Sequence, residues 1–564
     1  MTWWSKKYRD PEIDPDEIFL DASNAPDFDQ ERFEGRIEKP LPNSSFFLLA
    51  TGLGLLFLLL IGRAWYIEVT HGADYAAESA NNSLSITTIF APRGIITDMH
   101  GVVLAENVQK PDGTVERHYA MPSLSQVIGY VSYPKKDSKG VYYDTEQKGI
   151  TAIEAKYNAL LTGKNGQMLT ETDAVGRVRS GGTIVRAEEG STLQLSVDAG
   201  LQIFFDRAIE DLARTYGFIA GAGVIMDVET GAVRALVSYP SYDSNVMASG
   251  GPASVIAGYN RDSGRPFLDH AVQGVYAPGS IVKPFVVSGA LTDGIITPNT
   301  IIEDPGFISL PDPYHPGKTF IYKGWKALGS VDARKAIAWS SDVFFYTIGG
   351  GFKSQKGLGI DRLEYWYRQY GLGTTTAIDL PGEADGLIPN PAWKESVFNE
   401  PWYLGDTYFT AIGQYSMQVT PIQMARATAA VANGGRLLTP TLVLGRVPSA
   451  TLVSVDAAAL KVAREGMRQS VTASPLAAAL NLPYVSVAAK TGTAQTGTRN
   501  QYDNSWVVGF FPYDHPQYAF AVVLERGPEG QGERAVDVMQ QLFESLHTAN
   551  SPYVGGTASS TNAY

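Results

Sequence analysis

The pattern serine, two residues, lysine occurs twice in this 564-residue chain, and each copy sets a hydroxyl beside an amine able to activate it. On a helix the first and fourth side chains share a face, so the amine reaches the hydroxyl and serves as its base. Ser132-Tyr133-Pro134-Lys135 contains a proline and runs into the polar segment Lys135 to Lys139, which reads as a loop. Ser280-Ile281-Val282-Lys283 instead follows Pro278-Gly279 and opens the apolar run Pro284 to Leu291, which suits a buried helix with Ser280 at its amino end. There the helix dipole assists a developing oxyanion and disfavours an ammonium. Ser340-Ser341-Asp342 begins a second helix-like segment, and its first and third side chains can bond to Lys283 or relay a proton. Lys490-Thr491-Gly492 follows the apolar strand Val485 to Ala489 and precedes Thr493. An exposed strand there can pair with an extended peptide while Lys490 offers positive charge to a terminal carboxylate. Each motif alone is ordinary; together they point to a serine nucleophile activated by a lysine.

Other chemistries recede. Gly317-Lys318-Thr319 has Asp312 where a phosphate loop needs its first glycine, so it reads as a plain loop. The seven histidines form no H-E-x-x-H pair and no G-x-S-x-G elbow is present, which argues against zinc hydrolases and α/β-hydrolases. With no cysteine, thiolate metal sites, disulfides and cysteine nucleophiles are excluded. No metal or cofactor is expected. Forty-five Lys and Arg against 58 Asp and Glu give 45 − 58 = −13, the wrong sign for a nucleic-acid coat.

Elements able to position these residues are legible. Leu201 to Tyr216 reads as an amphipathic helix, and Ala222 to Tyr239 as two strands joined at Asp227 to Gly231. Helical patterns fill about 277 to 435; strands return at Val485 to Ala494, Ser505 to Phe511 and Gln517 to Leu524, before a helix near Glu533 to His547. Strands at both ends enclosing helices predict one α+β domain whose sheet is closed by distant segments. Ahead of it, residues 67–192 are mixed strand and turn, with a hairpin pattern from Arg93 to Ala105. Residues 40–62 carry no charge, and Phe46 to Ile61 can span a bilayer, with Trp65 and Tyr66 at the interface. Arg32, Arg36 and Lys39 precede the span, whereas after Arg63 the next basic residue is Arg93, so the amino terminus is expected in the cytoplasm. The expected divisions are a disordered tail 1–44, an anchor 45–66, a non-catalytic pedestal 67–192, a catalytic domain 193–548 and a frayed tail 549–564.

The three motifs in this order resemble class B penicillin-binding proteins, most closely the elongation type. Arg93-Gly94-Ile95-Ile96, Ile128-Gly129-Tyr130, Leu380-Pro381-Gly382-Glu383, Trp402-Tyr403, Gly405-Asp406-Thr407, Ile412-Gly413-Gln414, Thr420-Pro421-Ile422-Gln423, and Trp506 with Gly509 extend the likeness over most of the chain after the span. The resemblance implies an antiparallel five-stranded sheet with flanking helices, an all-α subdomain and a small β-rich pedestal. It implies that Ser280 is the acylated nucleophile and Lys283 its base, that Ser340 shuttles the proton and Asp342 holds Lys283, and that Lys490, Thr491, Gly492 and Thr493 bind substrate. The backbone N–H groups of Ser280 and Thr493 would form the oxyanion hole. Peptidoglycan stem peptides ending in D-Ala-D-Ala would be the donors, β-lactams the inhibitors, and a SEDS-type membrane glycan polymerase the partner, at the bacterial inner membrane. A D,D-carboxypeptidase, a β-lactam sensor, or a scaffold for the polymerase would share much of this sequence.

Several positions depart from the family pattern. Asp342 replaces the usual Asn, Met99 and His100 replace Arg and a polar residue, Asp269-His270 replaces Asn-Arg, and Tyr415 replaces a glycine, which should narrow the region near the active site. Only about 12 residues separate Asn107 from Tyr119, where relatives carry a long head subdomain.

Overall fold

The computed structural model describes residues 43–76, 84–110, 115–138, 142–172, 178–312, 315, 317–497 and 501–555; the expected tail 1–44 lies almost wholly outside them. Helix α1 (Asn43–Trp65) has no buried residue, and its leucines and phenylalanines are largely exposed. A helix apolar on all sides is long enough to cross a membrane and is compatible with a single-pass anchor.

The pedestal is built on the expected hairpin. β1 (Ile96–Thr97) pairs antiparallel with β2 (Val103–Gln109), which pairs with β3 (Val115–Tyr119) through Gln109 opposite Val115, so residues 110–114 connect two adjacent strands. Asp98 closes the first turn by accepting from the N–H groups of His100 and Val102, each at 2.8 Å. β4 (Leu193–Gln194) runs parallel beside β1 and completes a four-stranded sheet. The pedestal sheet therefore extends past residue 192, beyond the expected boundary. Beneath it the fully buried Glu154 carboxylate accepts from Arg93 Nε at 2.6 Å and Arg117 Nε at 2.9 Å. Three charges without water require such pairing, since an unpaired one would cost several kcal/mol.

In the catalytic domain α2 (Ala199–Tyr216) starts where the Asp198 carboxylate accepts from Leu201 N at 3.0 Å, and it ends at left-handed Gly217. Two strands follow, β5 (Ala220–Asp227) and β6 (Val233–Tyr239). Its helical interior holds α3 (Lys283–Thr292), α4 (Asp342–Gly350), α5 (Gly359–Gln369), α6 (Leu404–Ala411), α7 (Pro421–Ala432) and α8 (Ala457–Thr472). α7 begins with a capping box in which Thr420 and Gln423 exchange side-chain and backbone bonds. The chain then returns as β7 (Ala488–Thr496), β8 (Tyr502–Phe511) and β9 (Tyr518–Pro528), followed by α9 (Ala535–Thr548).

The sheet order is β6-β5-β9-β8-β7, antiparallel throughout, with Ala220 opposite Glu525 and Asp227 opposite Tyr518. α2 and α9 cover one face and α7 the other. Alternation explains the split: Val487, Ala489, Val507 and Val522 enter the core under α2 and α9, whereas Ala488, Trp506, Val508 and Val523 join the interior helices. Within the expected tail 549–564, Pro552–Val554 forms a short 3-10 turn. The Ser551 hydroxyl accepts from Tyr553 N, Val554 is buried, and the Tyr553 hydroxyl donates to Asp198 at 3.0 Å.

Candidate active site

A short 3-10 turn, Gly279–Val282, carries Ser280 to the start of α3, whose first residue is Lys283. Pro284 follows in the first helical turn, where its missing N–H costs nothing. α3 is apolar all round and buried from Lys283 to Ala290. Gly289 is where α5 crosses it, because a Cβ there would lie 2.5 Å from the Trp366 ring. Ser280 is half-buried at the mouth of this helix and Lys283 is wholly buried. The second Ser-x-x-Lys candidate lies on strands and not in the expected loop: Ser132 ends one short strand and Lys135 begins another, exposed one.

One segment, Ser340 to Asp342, supplies the hydrogen-bond partners of Lys283. Its Nζ donates to Ser340 O and Ser340 Oγ, each at 3.0 Å, and to Asp342 Oδ1 at 2.7 Å. Ser340 sits in the left-handed region with φ 55°, which turns both its oxygens toward Lys283. Ser341 caps α4, accepting from Phe344 N at 3.1 Å while donating to the buried Asp304 at 2.5 Å. Burial pushes the Lys283 pKa down; Asp342, then Glu533 and Asp304, oppose this without reversing it.

Lys490 and Thr491 lie on β7, the edge strand, and both side chains are fully buried, not exposed as the strand pattern suggested. Lys490 Nζ donates to Thr491 O at 2.8 Å. Burial lowers its pKa first, with the charge of Lys283 second. Gly492 and Gly279 let β7 approach the nucleophile turn: a Cβ on Gly492 would lie 2.9 Å from Pro278 O, and one on Gly279 would lie 2.8 Å from Thr493 O. Ser280 and Thr493 are thereby brought side by side. A third segment closes in at Gly413, whose O accepts from Gly279 N at 2.9 Å and whose added Cβ would lie 2.2 Å from Gly279 O.

Behind the turn, Trp506 Nε1 donates to Ala277 O at 3.0 Å, and the Tyr276 hydroxyl meets His270 Nδ1 at 2.6 Å. His270 also reaches Gly264 O at 2.8 Å and Glu525 Oε2 at 3.3 Å, so it fills a buried structural role under the nucleophile segment. Tyr415 adopts φ 57° and stands edge-on to Trp402, with ring centroids 5.3 Å apart. Lys394 Nζ lies 5.5 Å from its ring centre. A side chain thus fills a glycine-like backbone position two residues from the Gly413 contact. The motifs missed Asp304 and Glu533, both of which act on the Lys283 charge. Neither stands in a motif, and only the folded chain brings them near.

A family model for the penicillin binding protein transpeptidase domain matches residues 221–544, the stretch that carries the sheet and all three motifs. This chain belongs to the penicillin-binding transpeptidases. A second model, the penicillin-binding protein dimerisation domain, matches residues 110–195 of the pedestal. The peptidoglycan D,D-transpeptidase MrdA of Salmonella typhimurium is 33% identical over 465 residues, covering 75% of this chain and 71% of that protein. Penicillin-binding protein 2 of Pseudomonas aeruginosa, solved in complex with WCK 5153, superposes with a TM-score of 0.68 at 32% identity, covering 82% of this chain and 96% of that one. A chain from a peptidoglycan synthase complex that coordinates polymerization and crosslinking superposes with a TM-score of 0.71 at 27% identity, over 92% and 100%. This penicillin-binding transpeptidase thus groups with the penicillin-binding protein 2 kind by both sequence and structure.

Proposed function

We propose that this chain cross-links peptidoglycan stem peptides during cell elongation through an acyl-enzyme on Ser280, and that β-lactams acylate the same hydroxyl. The observation that carries the reading is Lys283, buried directly after the Ser280 turn and held at once by Ser340 and Asp342. Ser280 Oγ attacks the carbonyl carbon between the two D-alanines of the donor as its proton passes to the neutral Lys283 amine. The N–H groups of Ser280 and Thr493 receive the oxyanion. As the C–N bond breaks, the proton moves from Lys283 by way of the Ser340 hydroxyl to the departing D-alanine amine. An amine of a neighbouring stem then attacks the ester and yields its proton to Lys283. Ser280 recovers a proton as the new amide forms. Lys490, Thr491, Gly492 and Thr493 hold the donor, with Lys490 facing its terminal carboxylate.

The Lys and Arg asymmetry supports an amino terminus in the cytoplasm and a catalytic domain outside it, where peptidoglycan lies. The likeness to a chain of a peptidoglycan synthase complex supports a membrane glycan polymerase as partner. With residues 110–114 in place of a head subdomain, the span and the pedestal near Arg93 to Leu104 are the surfaces left for it. Replacing Phe46 to Ile61 by an unrelated span should abolish co-purification with the polymerase.

Fluorescent penicillin labelling followed by peptide mapping tests the central reading. Label should map to Ser280 and vanish in Ser280→Ala. Label at Ser132, or label that survives Ser280→Ala, would overturn it.

A further inference from the structure

Two lysines share one dry site, and only one has a carboxylate in contact. Lys283 has Asp342 at 2.7 Å. Among the described residues no carboxylate stands within ion-pair distance of Lys490, whose Nζ reaches only the carbonyl of Thr491. A substrate carboxylate needs Lys490 as an ammonium, while the base needs Lys283 neutral. With Asp342 as the one anion, the surviving proton would stay on Lys283, in direct contact with that carboxylate, and both roles would fail.

Glu533 lies on the segment between β9 and α9, which is tied to β8, the neighbour of β7. Gly530 N donates to Asp503 Oδ2 at 2.8 Å and Ala535 N to Ser505 Oγ at 2.9 Å, and Ser505 stands opposite Thr493 in the β7–β8 ladder. Glu533 Oε2 and Thr491 Oγ1 are both buried without a hydrogen bond of regular geometry. By alternation Thr491 points with Ala489 toward the α2 and α9 face, away from Lys490. Burial raises the Glu533 pKa, and Lys490, the Thr491 hydroxyl and Lys283 each draw it back. The groups that bear on the charge of Lys490 are Lys283 from α3, Asp342 from α4 and Glu533, with Glu533 favouring the ammonium more than Asp342 does. Asp304, in the strand Ile302–Asp304, acts on Lys283.

We infer that Glu533 is a positioning residue that acts through Lys490: from the far face of β7 its carboxylate, enclosed at Oε2, keeps Lys490 an ammonium while Lys283 gives up its proton. This rests on Ser280 and Lys490 having the roles proposed above. The device divides the site's charge between two anions, Asp342 for the base and Glu533 for the anchor.

The test is the second-order acylation rate of the full-length protein across pH, with a penicillin and with its methyl ester, for wild type, Glu533→Gln, Glu533→Asp and Asp342→Asn. With the free carboxylate, Glu533→Gln should move the alkaline limb to lower pH by about one unit. Asp342→Asn should move the acidic limb more than the alkaline one. The ester, which offers no carboxylate, should show no alkaline shift in Glu533→Gln, and Glu533→Asp should restore the wild-type limb. An unmoved alkaline limb, or a loss of rate equal at every pH and shared by Glu533→Asp, would overturn the inference while leaving Ser280 as nucleophile. Absence of acylation in wild type at every pH would overturn the reading of the site itself, and this inference with it.

Discussion

Replacing Asp342 by Asn restores the residue usual in this family and removes the anion nearest the base. Asp342 Oδ1 is 2.7 Å from Lys283 Nζ, where two unit charges attract by about 6 kcal/mol at an effective dielectric of about 20. That figure is an upper bound, since the amide oxygen of Asn still accepts from Nζ and the site relaxes. An opposite charge this close shifts a pKa by about 1 to 3 units, or ~1.4 to 4 kcal/mol. The sign is fixed: the carboxylate favours the ammonium, so its removal lowers the Lys283 pKa further in the direction burial already pushes it. More neutral amine is then available in acid, and the acidic limb of the penicillin acylation profile should move down by about 1 unit or more. Stopped-flow or gel-based acylation rates from about pH 5 to 9 on both proteins measure it, with melting temperatures to confirm that α4 keeps its cap. An acidic limb that stays or moves upward would show that Asp342 does not tune Lys283.

Three further outcomes are expected. Gly413→Ala sets a methyl 2.2 Å from Gly279 O at φ 74°, so the nucleophile turn must move: acylation per folded molecule should fall by about 10²-fold and the melting temperature should drop as well. Glu154→Gln leaves Arg93 and Arg117 buried together without their shared anion, and thermal unfolding should show about 3 to 5 kcal/mol of destabilisation, with an unchanged fold in circular dichroism if any folded fraction remains. Gly289→Ala drives a methyl into the Trp366 ring, and should cost about 1 to 3 kcal/mol by chemical denaturation while displacing the helix that carries Lys283.

Local signals carried the sequence reading where local physics decides the outcome. Leu201 to Tyr216 follows from helical period and the turn at Asp227 to Gly231 from hairpin chemistry; both stand as expected, as do the three closing strands. The buried helix after Ser280 followed from a run with no polar face. What escaped were relations set only by tertiary approach. Lys490 reads in the sequence as an exposed strand residue because an edge strand and an open one read alike, whereas in the fold both the Pro278 to Ile281 turn and α8 pack against its strand. The two-residue strand Leu193–Gln194, which joins the pedestal sheet, has no period to recognise. Glu533 reads in the sequence as the first residue of the closing helix, whereas that helix begins at Ala535, and the enclosure of one carboxylate oxygen leaves no mark in the sequence.

The strand order has a consequence for how the protein comes into being. β5, made early, has as its partner β9, completed some 300 residues later, and the strand carrying Lys490 attaches only through β8. A growing chain therefore holds Ser280 and Lys283 well before it holds a pocket, and contacts this distant in sequence form slowly. Reactivity toward penicillin is thus a property of the finished chain alone: a truncated or stalled product should be blind to the antibiotic, and the labelled fraction of a preparation counts the molecules that have completed folding.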